Sequence, residues 1–382
     1  MSFIFKKTLT RHIKFDIIWK SQSFGLIFQL DIGDRSMAVT LKDISVKSGI
    51  NTGSVSHVLN NHPKAMKLKA ETREKIRRTA RELGYFRNEI ARAMVTGRSN
   101  VIGFLMHDIP SEHCARLQNG VMKAAQENNY LIKVFYAKPN CNAMDFAKIC
   151  IGQRLSGLIA YDLPNNHFFS QLNQQISKHG IPLAIAAGVS HLDVDNCTRI
   201  YANNIQGGAL AFKHLYAQGH RSFFISAEYS SSEWADKRLN GFVAAAQEAG
   251  ISIPETNICR AKGINSFKKA ELKSRIKTAK ATAVFCMSDF AALSIITKLQ
   301  QLGINVPSDI AVVGYGNLSF CDFSSPAITS IEEHLAEIGS RALNVLLDQI
   351  KSGNKPELTG KYSETLDVEL VARESTAALK KF

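Results

Sequence analysis

The sequence predicts two structures in series: a small all-α helix-turn-helix unit, then an α/β core built on parallel sheets. Three observations predict it. Apolar residues recur at helical spacing over residues 38–97, short apolar runs alternate with helical stretches over 98–382, and positive charge is concentrated in the first of these segments. Residues 37–100 carry thirteen Lys/Arg against five Asp/Glu, whereas residues 101–382 carry 28 against 25. A short basic block on a nearly neutral body implies that one module meets a polyanion and the other does something else.

Length and composition set the outer bounds. At 382 residues the chain is too long for one small core, and 45% hydrophobic with 21% charged residues describes a water-soluble globular protein. No apolar run approaches the roughly 18 to 20 residues that a membrane helix needs. The seven cysteines are scattered and form no CxxC, which argues against a disulfide framework or structural zinc and for reduced thiols in the cytoplasm.

Taken in order, residues 1–36 hold Phe3-Ile4-Phe5 and a mixed stretch that Lys14, Asp16 and Lys20 interrupt, so no export signal is read there. Met37 directly precedes the first well-patterned segment, and the extension is expected to be a start-site artefact or a poorly ordered tail. Thr40 can N-cap a helix bearing Leu41, Asp43 and Ile44, which Gly49 stops. A second helix carries Val55, Val58 and Leu59, and a third, from about Glu71 to Leu83, carries Ile76, Ala80 and Leu83. Two short helices around a Gly-containing turn, with a third behind, form a helix-turn-helix over residues 38–86. Residues 88–97, with an Asn cap and a Gly stop, are too short to be a stable helix alone.

From residue 98 onward, apolar runs at 101–106, 131–136, 157–161, 182–186, 222–226, 282–286 and 310–314 are each followed by a turn or helical stretch. Continuous apolar strands with helical crossovers imply parallel sheets buried on both faces. About 280 residues suffice for two such sheets, with a ligand cleft at the carboxyl ends of the strands.

At this point the residues resemble a known family. Thr40-Leu41-Lys42-Asp43-Ile44, Val55-Ser56-His57-Val58-Leu59-Asn60, Leu83-Gly84-Tyr85, Arg238-Leu239-Asn240-Gly241-Phe242, Val306-Pro307-Ser308-Asp309-Ile310-Ala311-Val312-Val313-Gly314 and Glu369-Leu370-Val371-Ala372-Arg373-Glu374-Ser375-Thr376 are similar to the LacI/GalR family of bacterial transcription repressors. The order and spacing of these strings carry the resemblance from Met37 onward. It implies a DNA-binding head at 38–86, a hinge helix and linker at 87–99, and a two-lobed core at 100–382 like a periplasmic sugar-binding protein. Lobe 1 is expected at about 100–220 and 322–352, and lobe 2 at about 221–321 and 353–382. The implied molecule is a homodimer on a near-palindromic operator, controlled by a small-molecule effector, with no cofactor and no membrane partner.

A recognition helix presents its first residues to base edges in the major groove. Thr52, Gly53, Ser56 and His57 are the candidates here, with His57 donating to guanine N7 or O6, or reaching a phosphate instead. Most relatives have arginine in place of His57, so a different sequence preference is expected. Thr40, Asn51, Ser54, Asn60, Lys64, Lys67, Lys69 and Arg73 are better placed for phosphates, which set affinity and register. The loop 61–69 resembles an extended basic loop found in a subset of the family. In the hinge, Asn88 and Ala91 accompany Met94, which stands where a leucine usually wedges open the central base step.

In the core, Arg238 matches the family's effector-holding arginine, and a guanidinium fork suits hydroxyls, carboxylates or phosphates. Ser288 and Asp289 match an Asn-Asp pair at the start of a cleft helix, although Asp289 can equally be an N-cap. Tyr315, Asn317 and His113 complete the candidate effector set. The usual Gly-aromatic-Asp-Asp is Gly314-Tyr315-Gly316-Asn317 here, so the sugar-binding carboxylate is missing at Gly316. An aromatic pair after the first strand is replaced by His113-Cys114, and an expected Asp is Asn203. Either the effector is unusual, or the core answers to a protein partner or to no ligand. No HExxH, GxSxG or P-loop occurs, and no nucleophile, base and orienting group can be assembled, so neither an enzyme nor a metal site is expected.

Overall fold

The computed structural model describes residues 39–86, 99–106, 111–137, 141–161, 166–187, 197–227, 233–260, 268–352 and 362–376, with the backbone of two strands near the start. The chain divides into two compact units, Met1–Asn88 and Glu89–Phe382. In the first unit, β1 (Phe5–Thr8) and β2 (Lys14–Ile17) pair antiparallel. Such a two-stranded ribbon is marginal in water by itself.

The head contains α1 (Leu41–Ser48), α2 (Thr52–Leu59) and α3 (Ala70–Leu83). Thr40 and Asp43 form a reciprocal capping box: the Thr40 amide donates to Asp43 Oδ2 at 2.8 Å, and Asp43 N donates to Thr40 Oγ1 at 3.4 Å. Gly49 ends α1 in the left-handed region at φ 69°. Asn51 starts α2 by accepting from Ser54 N at 2.8 Å. Ile44, Val55, Val58 and Ile76 are buried together, joined by Ala65 from a 3₁₀ turn at Pro63–Lys67. The long basic loop is therefore anchored to the core rather than hung from it.

The second unit alternates strand and helix as its apolar runs dictate. Its strands are β3 (Val101–Met106), β4 (Leu131–Tyr136), β5 (Gly157–Tyr161), β6 (Leu183–Ala186), β7 (Cys197–Ala202), β8 (Phe223–Ser226), β9 (Ile258–Cys259), β10 (Ala283–Cys286), β11 (Ala311–Val313), β12 (Ser330–Glu332), β13 (Tyr362–Leu366) and β14 (Glu369–Val371). Its helices are α4 (Glu112–Glu127), α5 (Ala143–Gly152), α6 (Asn166–Ile176), α7 (Asn204–Ala217), α8 (Glu233–Glu248), α9 (Lys269–Ala279), α10 (Asp289–Gln301) and α11 (Leu335–Lys351). Lobe 1 has a six-stranded parallel sheet ordered β13-β7-β6-β5-β3-β4; lobe 2 has a four-stranded parallel sheet ordered β11-β10-β8-β9. The antiparallel β12–β14 ribbon lies on the crossover.

Two boundaries differ from the expected lobes. β13, expected in lobe 2, pairs with β7 in the lobe 1 sheet, because Tyr362 to Leu366 register against Thr198 to Ala202. α7, expected in lobe 1, lies against α8 of lobe 2. The reason is a close backbone crossing: a Cβ on Gly208 would sit 2.0 Å from the Arg238 carbonyl oxygen, and one on Gly241 2.0 Å from that of Ile205. Lobe 1 repeats the device where α4 crosses α11, with Gly120 against Ala336 and Gly339 against Leu117. Residues 372–376 return to lobe 2, where Val312 N donates to the Ser375 carbonyl at 2.8 Å.

Candidate nucleic-acid interface and interlobe cleft

In the head, α2 buries Val55 and Val58 and leaves Thr52 and Gly53 exposed in its first turn. Ser56 is half-buried, and its Oγ accepts from Asn60 Nδ2 at 3.1 Å. His57 is half-buried and stacks on His62, with ring centroids 4.7 Å apart. His62 in turn accepts from Lys64 N through Nδ1 at 3.1 Å, so the basic loop sets the orientation of a base-reading candidate. Sequence reasoning missed His62, although it lies five residues on and its backbone N–H donates to the His57 carbonyl at 2.9 Å.

The phosphate candidates divide by how free their side chains are. Thr40 and Asn51 spend oxygens on helix caps. Lys64, Lys67, Lys69 and Asn60 are exposed, and Ser54 and Arg73 are half-buried. Arg73 Nη1 donates to Met66 Sδ at 3.0 Å, holding the guanidinium over the 3₁₀ turn. The hinge candidates Asn88, Ala91 and Met94 lie outside the described residues.

Of the six effector candidates, Arg238 lies against Tyr315 and, through Glu333, next to His113, while Ser288, Asp289 and Asn317 lie on adjoining elements. Arg238, on the buried face of α8, is the centre: Nε donates to Asn204 Oδ1 at 2.7 Å, Nη1 to the Met287 carbonyl at 2.8 Å, and Nη2 to Glu333 Oε1 at 2.5 Å. Its guanidinium carbon also lies 3.5 Å from the Tyr315 ring centroid and 4.5 Å from that of Trp234. A buried arginine with three acceptors and aromatic walls is fully compensated. Burial alone would push the Glu333 carboxyl up, yet Arg238 and His113 hold it below the ordinary carboxylate range.

Around that pair, polar atoms are mostly committed within the chain. Ser288 is the N-cap of α10 and accepts from Ala291 N at 3.2 Å, so the cap is Ser288 and Asp289 is the first helical residue. Asp289 is wholly buried and accepts from Ser330 Oγ at 2.5 Å and Leu318 N at 2.8 Å. Burial raises its pKa, the hydrogen bonds only partly opposing that. Asn317 donates to Glu332 at 2.8 Å and accepts from Arg373 at 2.7 Å. Tyr315 is completely buried, and its hydroxyl makes no hydrogen bond among the described residues. His113 Nε2 lies 3.5 Å from Glu333 Oε2, and Gly316 leaves room for the ring: a Cβ there would meet Nε2 at 2.6 Å.

Lobe-to-lobe contacts extend outward from this centre. Glu112, in the first turn of α4, accepts from Ser319 N at 3.0 Å and from Ser319 Oγ at 2.9 Å. Arg116 bridges Glu112 at 2.7 Å and Glu332 at 3.4 Å. Glu333, Asn204, Trp234 and Glu112 escaped the sequence reading. Only the acidic pair Glu332-Glu333 directly after the apolar Ile331 hinted at a buried partner for an arginine.

Among the described residues no cluster of three or more His, Cys, Asp or Glu side chains is arranged to hold a metal ion. No helix there is long and apolar enough to cross a membrane. All seven cysteines are present as thiols, and burial pushes those of Cys150 and Cys197 up to about 12, which leaves them inert at neutral pH.

Comparison with known proteins gives matches for both units. Residues 40–88 match the family described as bacterial regulatory proteins, lacI family, and residues 212–376 match a periplasmic binding protein-like domain. The chain is 28% identical to the HTH-type transcriptional repressor CytR of Escherichia coli (strain K12), over 90% of this chain and 98% of that repressor. It is 28% identical to the HTH-type transcriptional repressor PurR of Vibrio vulnificus (strain CMCP6), over 82% and 92%. The fold is similar to that of the lac repressor dimer bound to operator and the anti-inducer ONPF, with a TM-score of 0.73, 23% identity, and coverage of 89% of this chain and 100% of that one. A transcriptional regulator CelR–cellobiose complex aligns with a TM-score of 0.64 at 23% identity, over 88% and 99%.

Proposed function

We infer, from a chain that belongs to the LacI/GalR family of transcriptional regulators, that it is a cytoplasmic, homodimeric repressor that binds a near-palindromic operator and answers to a small molecule between its lobes. The observation that carries this reading is the head: α2 leaves Thr52 and Gly53 exposed while the basic loop presents Lys64, Lys67 and Lys69 to solvent. Such a face suits base edges at the helix start and phosphates around it. Two heads related by a two-fold axis require inverted half-sites.

Dimerisation has its own support. β4 is an edge strand, and it exposes Leu131, Val134 and Tyr136, while Met144 and Ile149 on α5 are also exposed. An edge strand bearing that much apolar surface is a liability unless another surface covers it. A second copy does so in this reading. Asn88, Ala91 and Met94 are proposed as the minor-groove segment that completes the grip.

Arg238, Tyr315, His113, Ser288, Asp289 and Asn317 are proposed to frame the effector site. One observation favours a second reading, a core that responds to a protein partner or to no ligand: Ser288, Asp289 and Asn317 already spend their polar atoms within the chain. Selection of bound duplexes from a random pool tests the main reading. Recovery of an inverted repeat whose binding weakens steeply with salt supports it, and sequence-independent binding by a monomer overturns it.

A further inference from the structure

Arg238 lies at the floor of the proposed effector cleft, yet its guanidinium is not open to a ligand. Nη2 is bound at 2.5 Å to Glu333, a residue from the crossover segment 95 positions away in sequence. Both side chains are 7% exposed. The carboxylate therefore occupies the place on the guanidinium fork that an acid or phosphate would take. Its other oxygen, Oε2, accepts no hydrogen bond among the described residues and has only the His113 ring within ion-pair distance, at 3.5 Å. Beside it the buried Tyr315 hydroxyl also makes no hydrogen bond there, and Gly207 passes so close that a Cβ would meet it at 2.1 Å. The centre of the cleft is thus neutralised as to charge, with the guanidinium already carrying a carboxylate.

We propose that Glu333 is a tethered ligand of Arg238 that determines specificity: by holding the guanidinium it turns away anionic effectors, so that the cleft takes a neutral or cationic molecule. The proposal rests on the effector-cleft reading. An anion entering the wild-type cleft would have to displace a buried carboxylate that is held in place by the chain and reaches the guanidinium at no cost in concentration. A neutral or cationic molecule needs no such displacement.

The test uses acetate as a stand-in for the Glu333 carboxylate, with the full-length dimer and chloride-matched buffers. In Glu333→Ala the freed guanidinium binds acetate, so the melting temperature climbs steadily with acetate concentration; in the wild type it stays flat. Glu333→Gln, which keeps the side-chain shape, covers the case in which the alanine variant does not fold, and its melting temperature climbs with acetate as well. Adding Arg238→Gln to either variant abolishes the climb. Flat curves in both single variants, an equal climb in the wild type, or a climb that survives Arg238→Gln each overturn the proposal. Operator affinity of the wild type in the same buffers reports separately on the DNA-binding reading, so failure of one is not mistaken for failure of the other.

Discussion

Gly208 on α7 faces the backbone carbonyl of Arg238 on α8 so closely that a single added Cβ would stand 2.0 Å from the oxygen. The helix that starts lobe 2 and the helix that carries the central arginine are therefore locked backbone to backbone. Gly208→Ala is expected to destabilise the core by about 1 to 3 kcal/mol, the usual cost of overpacking. Urea unfolding of the variant checks this, and a midpoint equal to wild type would show that the crossing yields freely.

At the head, Asn51 caps α2, and its amide is also a candidate phosphate contact. Asn51→Ala removes both roles and is expected to cost about 0.5 to 2 kcal/mol of head stability. Asn51→Asp separates them, since aspartate caps equally well but brings a negative charge to the DNA face. Operator affinity that falls in Asn51→Asp, with unchanged melting of the head, marks a phosphate contact; unchanged affinity marks a cap alone.

Lys67 is exposed on the loop that Ala65 anchors. Lys67→Ala is expected to lower affinity equally for operator and non-operator duplexes and to reduce the slope of log affinity against log salt by about 1. His57→Ala, by contrast, is expected to relax preference at one base position of each half-site, read by repeating duplex selection with the variant.

Leu131 is 60% exposed on the β4 edge. Leu131→Lys is expected to shift the protein from dimer to monomer in light scattering and to reduce operator affinity with it, because a charge on a paired edge opposes association. A variant that stays dimeric would place the subunit contact elsewhere.

Acid and base windows of stability follow from two buried carboxyls of opposite behaviour. Glu333 has its pKa lowered from 4.5: burial works against that, but Arg238 and His113 prevail. Its contribution is complete above 4.5 and is lost as the pH falls through the lower folded-state value. Asp289 is shifted upward from 3.8, chiefly by burial, so its stabilising contribution is present at low pH and declines as the pH rises through the folded-state value. Glu333→Gln is expected to flatten the acid side of a urea-midpoint profile, and Asp289→Asn the side above it.

Much of the architecture was legible in order along the chain. Thr40, Asp43, Gly49 and Asn51 act through neighbours three to five residues away, so their caps and turn can be read locally. The apolar runs that become β3, β5, β6, β8, β10 and β11 announce buried parallel strands because burial on both faces demands unbroken apolar sequence, whereas β7, with Thr198 and Arg199 inside it, was not read. Lobe membership was less legible. A strand such as β13, Tyr362–Leu366, with three of its five residues polar, carries no mark of which sheet it will join.

By itself the sequence determined the basic head, its recognition-helix candidates, the alternating core and the family, since each depends on residue type and short spacing. Only the tertiary structure decided that Arg238 meets Glu333 and that α7 belongs with α8. The physical reason is that a buried charge must find its opposite wherever the folded chain places one, and two helices cross closely only where glycines happen to face backbone. Those pairings are properties of the packed chain, and pattern along the sequence does not encode them.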